Sequence, residues 1–166
     1  MINLSLILMA TDFSAYSKEA LGHAVYLAKA FKSDLYLIHV FESPFYVFEP
    51  PFYFHSGASP STQSEIYQYI NEAREEARRM LNTLANDIQY REERVHTLFK
   101  EGIPFLEVLK AAGEIQANLI VLGTHGHTGL AHVLMGSVTE RVVQKSPCPV
   151  FTVRPRALTI PTEENV

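Results

Sequence analysis

Residues 118–126 read Asn118-Leu-Ile-Val-Leu-Gly-Thr-His-Gly126, and after nine further residues the chain continues Gly136-Ser137-Val-Thr-Glu-Arg-Val-Val-Gln-Lys145. Leu119 to Leu122 is a short, wholly apolar run, the pattern of a strand covered on both faces. Gly123 and Gly126 then allow close backbone approach and positive φ. From Gly136 to about Lys145 the pattern is helical. The free N–H groups at the start of such a helix, with the helix dipole behind them, attract an anion. The order is therefore buried strand, glycine loop, spacer, and a glycine and a hydroxyl at a helix start. A phosphorylated ligand has a physical use for each part.

The upstream chain supplies a scaffold for this loop. Leu4 to Ala10 is an apolar run ending at Thr11-Asp12-Phe13-Ser14, and it reads as a buried strand with Ser14 as N-cap of the next segment. From Ala15 to Phe31 the positions Ala20, Leu21, Ala24, Val25, Ala28 and Phe31 recur at intervals of three and four, giving an amphipathic helix. Lys32-Ser33-Asp34 ends it, and Leu35 to Phe41 is a second buried strand. Strand, helix and strand within this span form a βαβ unit with parallel strands. Four prolines fall in Glu42–Ser61, and seven of the chain's aromatic residues lie in Phe41–Phe54, so this segment holds no regular element. Thr62-Gln-Ser-Glu65 matches a capping box for a long helix. That helix has Ile66, Ile70, Ala73, Ala77, Leu81, Leu84 and Ile88 on one face, and Glu72, Arg74, Glu75, Arg78 and Arg79 on the other. Glu92 to Lys100 alternates like a half-exposed edge strand. Pro104 opens another helix, with Phe105, Val108, Leu109, Ala112 and Ile115 as its apolar face. Ser146-Pro-Cys-Pro149 stops the helix after Gly136, and Val150 to Val153 is the last strand.

Five strands alternating with four helices predict an α/β fold, a doubly wound parallel sheet with helices on both faces. Ligands in such sheets bind outside the carboxyl ends of strands, where strand order reverses. The expected domain is residues 1–155, with 42–61 as a loop insertion and 156–166 as a disordered tail. The chain has 166 residues, 47% hydrophobic and 19% charged, enough for one domain with a substantial core. A net charge of −4 excludes a nonspecific nucleic-acid binder with a basic face. No apolar run reaches membrane-spanning length. The first residues lack a signal-peptide pattern, so a cytoplasmic location is expected. One cysteine, Cys148, excludes an internal disulfide framework and a cysteine metal cluster.

The glycine spacing is not a Walker A loop, because no lysine stands where that loop needs one. Nor is it a Gly-x-Gly-x-x-Gly fingerprint or a nucleophile elbow. Gly123, two residues, Gly126, nine residues and Gly136-Ser137 does resemble the ATP-binding branch of the universal stress proteins. Thr11-Asp12-Phe13-Ser14 after the first strand, Ser137-Val-Thr-Glu-Arg-Val142 and Ser146-Pro-Cys-Pro-Val150 extend the resemblance over most of the chain. The resemblance implies a three-layer α/β/α sheet of order 3-2-1-4-5, and a homodimer paired through Val150–Val153. It also implies ATP, with Mg²⁺ arriving on the nucleotide, lying across the ends of the first, second and fourth strands. By position, Ala10 and Thr11 would be among the nucleotide-binding residues, Asp12 would sit near base and ribose, and Val40 would offer backbone contacts to adenine. Gly123, His125 and Gly126 would line the ribose and phosphate path, with Leu122 also a nucleotide-binding residue. Gly136, Ser137, Val138 and Thr139 would hold phosphates.

Several residues admit a plainer role. Asp12 could be a turn residue, and Ser137 an N-cap. His125, His127 and His132 lack the partners of a zinc site, so a loop histidine near phosphate is the better reading. His39 reads as a packed, hydrogen-bonded side chain, and Cys148 as a small buried hydrophobe. Phe41–Phe54 is either a lid or partner surface, or a loop folded on the core. No motif places a general base. The functional expectation is thus a nucleotide-binding, stress-response dimer with at most slow ATP hydrolysis. A true ATP hydrolase, and an interaction dimer with a degenerate pocket, are the alternatives.

Overall fold

The computed structural model describes residues 4–43, 60–91, 94–125 and 135–154. The elements are β1 (Leu6–Ala10), α1 (Ala15–Phe31), β2 (Asp34–Phe41), α2 (Pro60–Asn86), β3 (Val95–Glu101), α3 (Pro104–Glu114), β4 (Leu119–Gly123), α4 (Ser137–Lys145) and β5 (Val150–Val153). The five strands form one parallel sheet of order β3-β2-β1-β4-β5, the order the resemblance implied. Most of Phe41–Phe54 and the tail beyond Arg154 lie outside the described residues.

Period-two alternation in the strands sorts the core into two layers. Ile7, Met9, Leu35, Leu37, Leu119 and Val121 face one side, where Ala20, Ala24 and Ala28 of α1 and Leu81 of α2 cover them. Leu8, Ile38, Ile120 and Leu122 face the other, under Val108, Ala111 and Ala112 of α3 and Val142 of α4. Strands buried on both faces need continuous apolar runs, which explains why β1 and β4 show no alternation in sequence. The α1 stripe is made of small residues, so that helix lies close to the sheet.

Polar groups fix the strand starts. Asn118 Oδ1 accepts from the Leu6 N–H and the Ser5 hydroxyl, both at 2.9 Å, tying the entry of β4 to that of β1. The Tyr90 hydroxyl lies 3.1 Å from the Ala28 carbonyl and 2.8 Å from the Ser33 carbonyl, beside the end of α1. Lys32, with φ of 58°, takes the left-handed conformation that ends α1.

Three expectations change. Phe31 is 52% exposed rather than part of the buried stripe; it is the last residue of α1. The long helix begins at Pro60, ahead of the Thr62 cap, because proline's fixed φ suits a first turn. Arg74 and Arg78 are not on a purely solvated face. The Arg74 guanidinium lies 5.8 Å from the Phe41 ring and pairs with Glu101 at 3.0 Å. Arg78 lies 4.4 Å from the Phe99 ring. Long stems and planar heads let arginine cover the aromatic ends of β2 and β3. No helix among the described residues is long and apolar enough to cross a membrane.

Asn118→Ala removes the shared acceptor and leaves the Leu6 N–H unpaired in a half-buried setting. Its urea unfolding midpoint is expected to fall with unchanged slope, by about 1–2 kcal/mol of stability.

Candidate functional site

The carboxyl ends of β1, β2 and β4 open into one cavity of about 410 Å³, within the roughly 300–1,000 Å³ range of small-molecule sites. It sits at the point where strand order reverses, since β1 has β2 on one side and β4 on the other.

The turn after β1 forms its first wall. The Thr11 N–H donates to the Ile38 carbonyl at 2.9 Å and so extends the β1–β2 pairing by one residue. The Thr11 hydroxyl accepts from the Phe13 N–H at 3.0 Å and donates to the Ser17 hydroxyl at 3.1 Å. Ser17 in turn donates to the Ser14 carbonyl at 3.0 Å. Asp12 Oδ1 accepts from the Ser14 N–H at 3.0 Å, and Phe13 takes a φ of 65°. These bonds fold the turn tightly enough for Ser14 to cap α1 through the Ser17 N–H at 3.2 Å. Asp12 is thus both a turn residue and part of the cavity wall; the two readings coexist. His39 Nδ1 lies 2.9 Å from the Thr11 carbonyl. A carbonyl only accepts, so Nδ1 carries the proton. The ring packs 4.3 Å from that of Phe13.

The second wall is the end of β4. A Cβ at Gly123 would stand 3.0 Å from the carbonyl carbon of Tyr16 and 3.1 Å from its oxygen. Only glycine lets the strand end and the first turn of α1 meet this closely. The Thr124 N–H then donates to the Val153 carbonyl at 2.9 Å, and the Thr124 carbonyl accepts from the Gly136 N–H at 2.7 Å. The buried Thr139 hydroxyl donates to the Gly123 carbonyl at 2.8 Å. The start of α4 is therefore stitched to the end of β4, although the two are well separated in sequence. His125 shares a 3.0 Å hydrogen bond with the Thr124 hydroxyl, and its ring lies 5.4 Å from that of Tyr16.

The N-cap of α4 is Gly136, with φ of −67° and ψ of 152°, and this residue makes no side-chain bond to the helix. This overturns the capping role considered for Ser137. Ser137 is the first helical residue, and its exposed hydroxyl is not spent on the helix end. The N–H groups of a first turn have no intrahelical partner, and here Ser137, Val138 and Thr139 line the cavity.

Ala10, Thr11, Asp12, Val40, Leu122, Gly123, His125, Gly136, Ser137, Val138 and Thr139 all border this one cavity. Gly126, His127 and His132 lie outside the described residues. Ser17, Ile38, His39, Glu42, Pro104 and Val108 also line it and were not anticipated as site residues. Two of these had a signal: Glu42 is the first residue past β2, and Ser17 lies one turn beyond Ser14 on the helix leaving the site. Pro104 and Val108 come from α3, whose approach to the cavity depends on packing across the sheet. His39 keeps the packed, hydrogen-bonded character read from its strand, while also reaching the wall. Asp12 and Glu42 are the carboxylates of the lining; no lysine or arginine belongs to its described part. Among the described residues, no three His, Cys, Asp or Glu side chains gather as metal ligands.

A second depression of about 460 Å³ lies at the amino ends of the strands, between the end of α1 and the start of β3. Arg94 there contacts the Lys32 carbonyl and lies 3.6 Å from Asp34. It is a loop junction without strand carboxyl ends or a helix start, and the cavity at the switch point is the better candidate.

The model of the universal stress protein family matches residues 5–154. Universal stress protein MJ0531 of Methanocaldococcus jannaschii is 34% identical over 89% of this chain and 81% of its own length. Universal stress protein YxiE of Bacillus subtilis is 31% identical over 89% of this chain and 97% of its own. Among solved structures, MJ0577 superposes with a TM-score of 0.70 at 29% identity, over 93% of this chain and 99% of that one. A universal stress protein solved in complex with cAMP shares the fold at a TM-score of 0.53 and 22% identity, over 89% of this chain and 94% of that one.

Gly123→Ala forces the end of β4 away from Tyr16 and is expected to cost about 1–3 kcal/mol in chemical denaturation. Gly22→Ala is the matched control: nothing lies within 4 Å of the added methyl, and a gain of about 0.4–1 kcal/mol is expected.

Proposed function

Since the chain belongs to the universal stress protein family, we propose that the cavity binds an adenine nucleotide, ATP foremost, and that the protein acts by binding rather than by turnover. The observation that carries this reading is the start of α4. Its N-cap, Gly136, makes no side-chain bond to it, and its first-turn residues face the cavity. Backbone N–H groups aimed at a common space, with a helix dipole behind them, form a phosphate seat. The exposed Ser137 hydroxyl adds a donor. A solved protein of the same fold in complex with cAMP gives a precedent for an adenine nucleotide.

Charge orients the ligand. Asp12 and Glu42 are at the β1–β2 side, and the helix start is at the β4 side. A phosphate tail placed toward α4 avoids both carboxylates. Ribose hydroxyls and the exocyclic amine of adenine, which are donors, suit the carboxylate side. Val40, Ile38 and Val108 supply apolar surface for the base. The glycine at 126 would complete the phosphate path. Mg²⁺ would enter on the phosphates, since oxygen-rich cations commonly arrive with the nucleotide. A slow ATP hydrolysis would need a water positioned without a dedicated base.

The assembly proposed is a homodimer through β5. Among the described strands it is at the sheet edge, and Phe151 on it is 41% exposed. An exposed edge is a template for pairing with a second copy. Residues 1–155 would be one nucleotide-binding domain working in the cytoplasm.

Two measurements check this reading. Gly136→Val combined with Ser137→Ala obstructs the phosphate seat, and ATP affinity by titration calorimetry should fall at least about tenfold, the loss of one or two charge-assisted bonds. Equal affinity in the variant and the wild type would sink the proposal. Phe151→Asp should shift the sedimentation coefficient from dimer to monomer; an unchanged value rejects pairing through β5.

A further inference from the structure

We infer that Arg141 sets the preference of the cavity for a polyphosphate tail over a single phosphate; this rests on the adenine-nucleotide reading above. The described lining of the cavity holds two carboxylates and no lysine or arginine, in a chain whose net charge is −4. One phosphate can be met by the start of α4. Each further phosphate adds negative charge to a space that already contains Asp12 and Glu42, and the helix dipole fades within one turn. A longer tail therefore calls for a cation just beyond the helix start.

Arg141 has the right place and is uncommitted to any described acid. It follows Ser137 by four residues, so it lies on the same face of α4 one turn on, and helical side chains lean back toward the amino end. Its guanidinium carbon is 4.8 Å from the centre of the Phe105 ring. Phe105 follows Pro104, which lines the cavity. The guanidinium is thus held against the residue that follows Pro104, and Arg141 is exposed; a planar fork of N–H donors suits bidentate phosphate contact. None of the ion pairs among the described residues involves Arg141. Two lysines elsewhere are engaged with acids: Lys110 with Glu107 at 2.5 Å, and Lys100 with Glu114 at 3.1 Å; Lys145 is at the far end of α4, away from the helix start. Glu140, next in sequence, accepts from Gln144 at 3.3 Å. Arg141 is thus a specificity-determining residue, outside the wall in the resting geometry and within reach of a tail that extends past α4.

The test compares ATP and AMP affinities, at low and moderate salt, for the wild type, Arg141→Ala, Arg141→Lys and Phe105→Leu. Arg141→Ala should weaken ATP by about three- to tenfold, the range for a charge-assisted contact discounted for solvent exposure, and leave AMP unchanged. Its ATP affinity should also respond less steeply to salt. Arg141→Lys keeps the charge and loses the planar fork, so it should recover part of the ATP preference. Phe105→Leu keeps an apolar contact but removes the aromatic face, and should lower the ATP-to-AMP ratio with Arg141 still present. An unchanged ratio in Arg141→Ala, or an equal loss for both nucleotides, overturns the inference while leaving the nucleotide site standing. A wild type that binds neither ATP nor AMP rejects the underlying site, and this role for Arg141 with it.

Discussion

The contact between Gly123 and Tyr16 sets the spacing on which the rest of the site depends. The backbone at the end of β4 meets the first turn of α1 so closely that an added methyl would stand 3.0 Å from the Tyr16 carbonyl carbon. That distance is possible because Ser17, Ala20, Ala24 and Ala28 give α1 a face of small buried residues. Once the helix is seated, Ser14, Asp12 and Thr11 follow, because their hydrogen bonds refer to its first turn. On the other side Thr124 and Thr139 hold the start of α4 against the same strand end. The two walls of the cavity are thus gauged from one glycine, and a larger residue there would alter both.

The cavity is polarised by two different means. On the β1–β2 side the charges are side-chain carboxylates, Asp12 and Glu42. On the β4 side the field comes from backbone, through the start of α4, whose N-cap is a glycine. Backbone donors are fixed by the helix and lose no side-chain entropy when a ligand arrives. Carboxylates at the mouth act in a more solvated setting and serve orientation more than affinity. A ligand with donors at one end and anionic charge at the other meets complementary fields without any cation in the described lining.

Much of this was legible in the residues before any coordinates. Apolar runs such as Leu119–Leu122 and the three-four spacing of Ala20, Ala24 and Ala28 declare elements directly, because burial on two faces or one leaves a periodic trace. The glycine spacing declared the β4–α4 side of the cavity for the same reason: glycine marks positions where a side chain will not fit. Pro104 and Val108 left no such trace. Their place in the cavity depends on how α3 crosses the sheet, which local spacing does not encode. Ser137 was misread as an alternative cap because serine favours caps in general, whereas Gly136 adopts the extended cap conformation itself. Arg74 and Arg78 looked like solvated charges, since their aromatic partners Phe41 and Phe99 come from distant strands.

The cavity is split between the two halves of the chain. One wall belongs to residues 10–42, the other to residues 104–139, and β1 joins them by pairing with both β2 and β4. The first half can collapse as a local βαβ unit, but the second wall requires closing a loop of more than a hundred residues, the slow kind of contact in folding. During synthesis the cavity cannot exist until α4 has emerged. A bound small molecule would then act as a strap across the chain, adding about 2.7 kcal/mol to global stability when present at a hundred times its dissociation constant. Occupancy would require both walls in place, and the folded fraction would rise with the concentration of a molecule that fills the cavity.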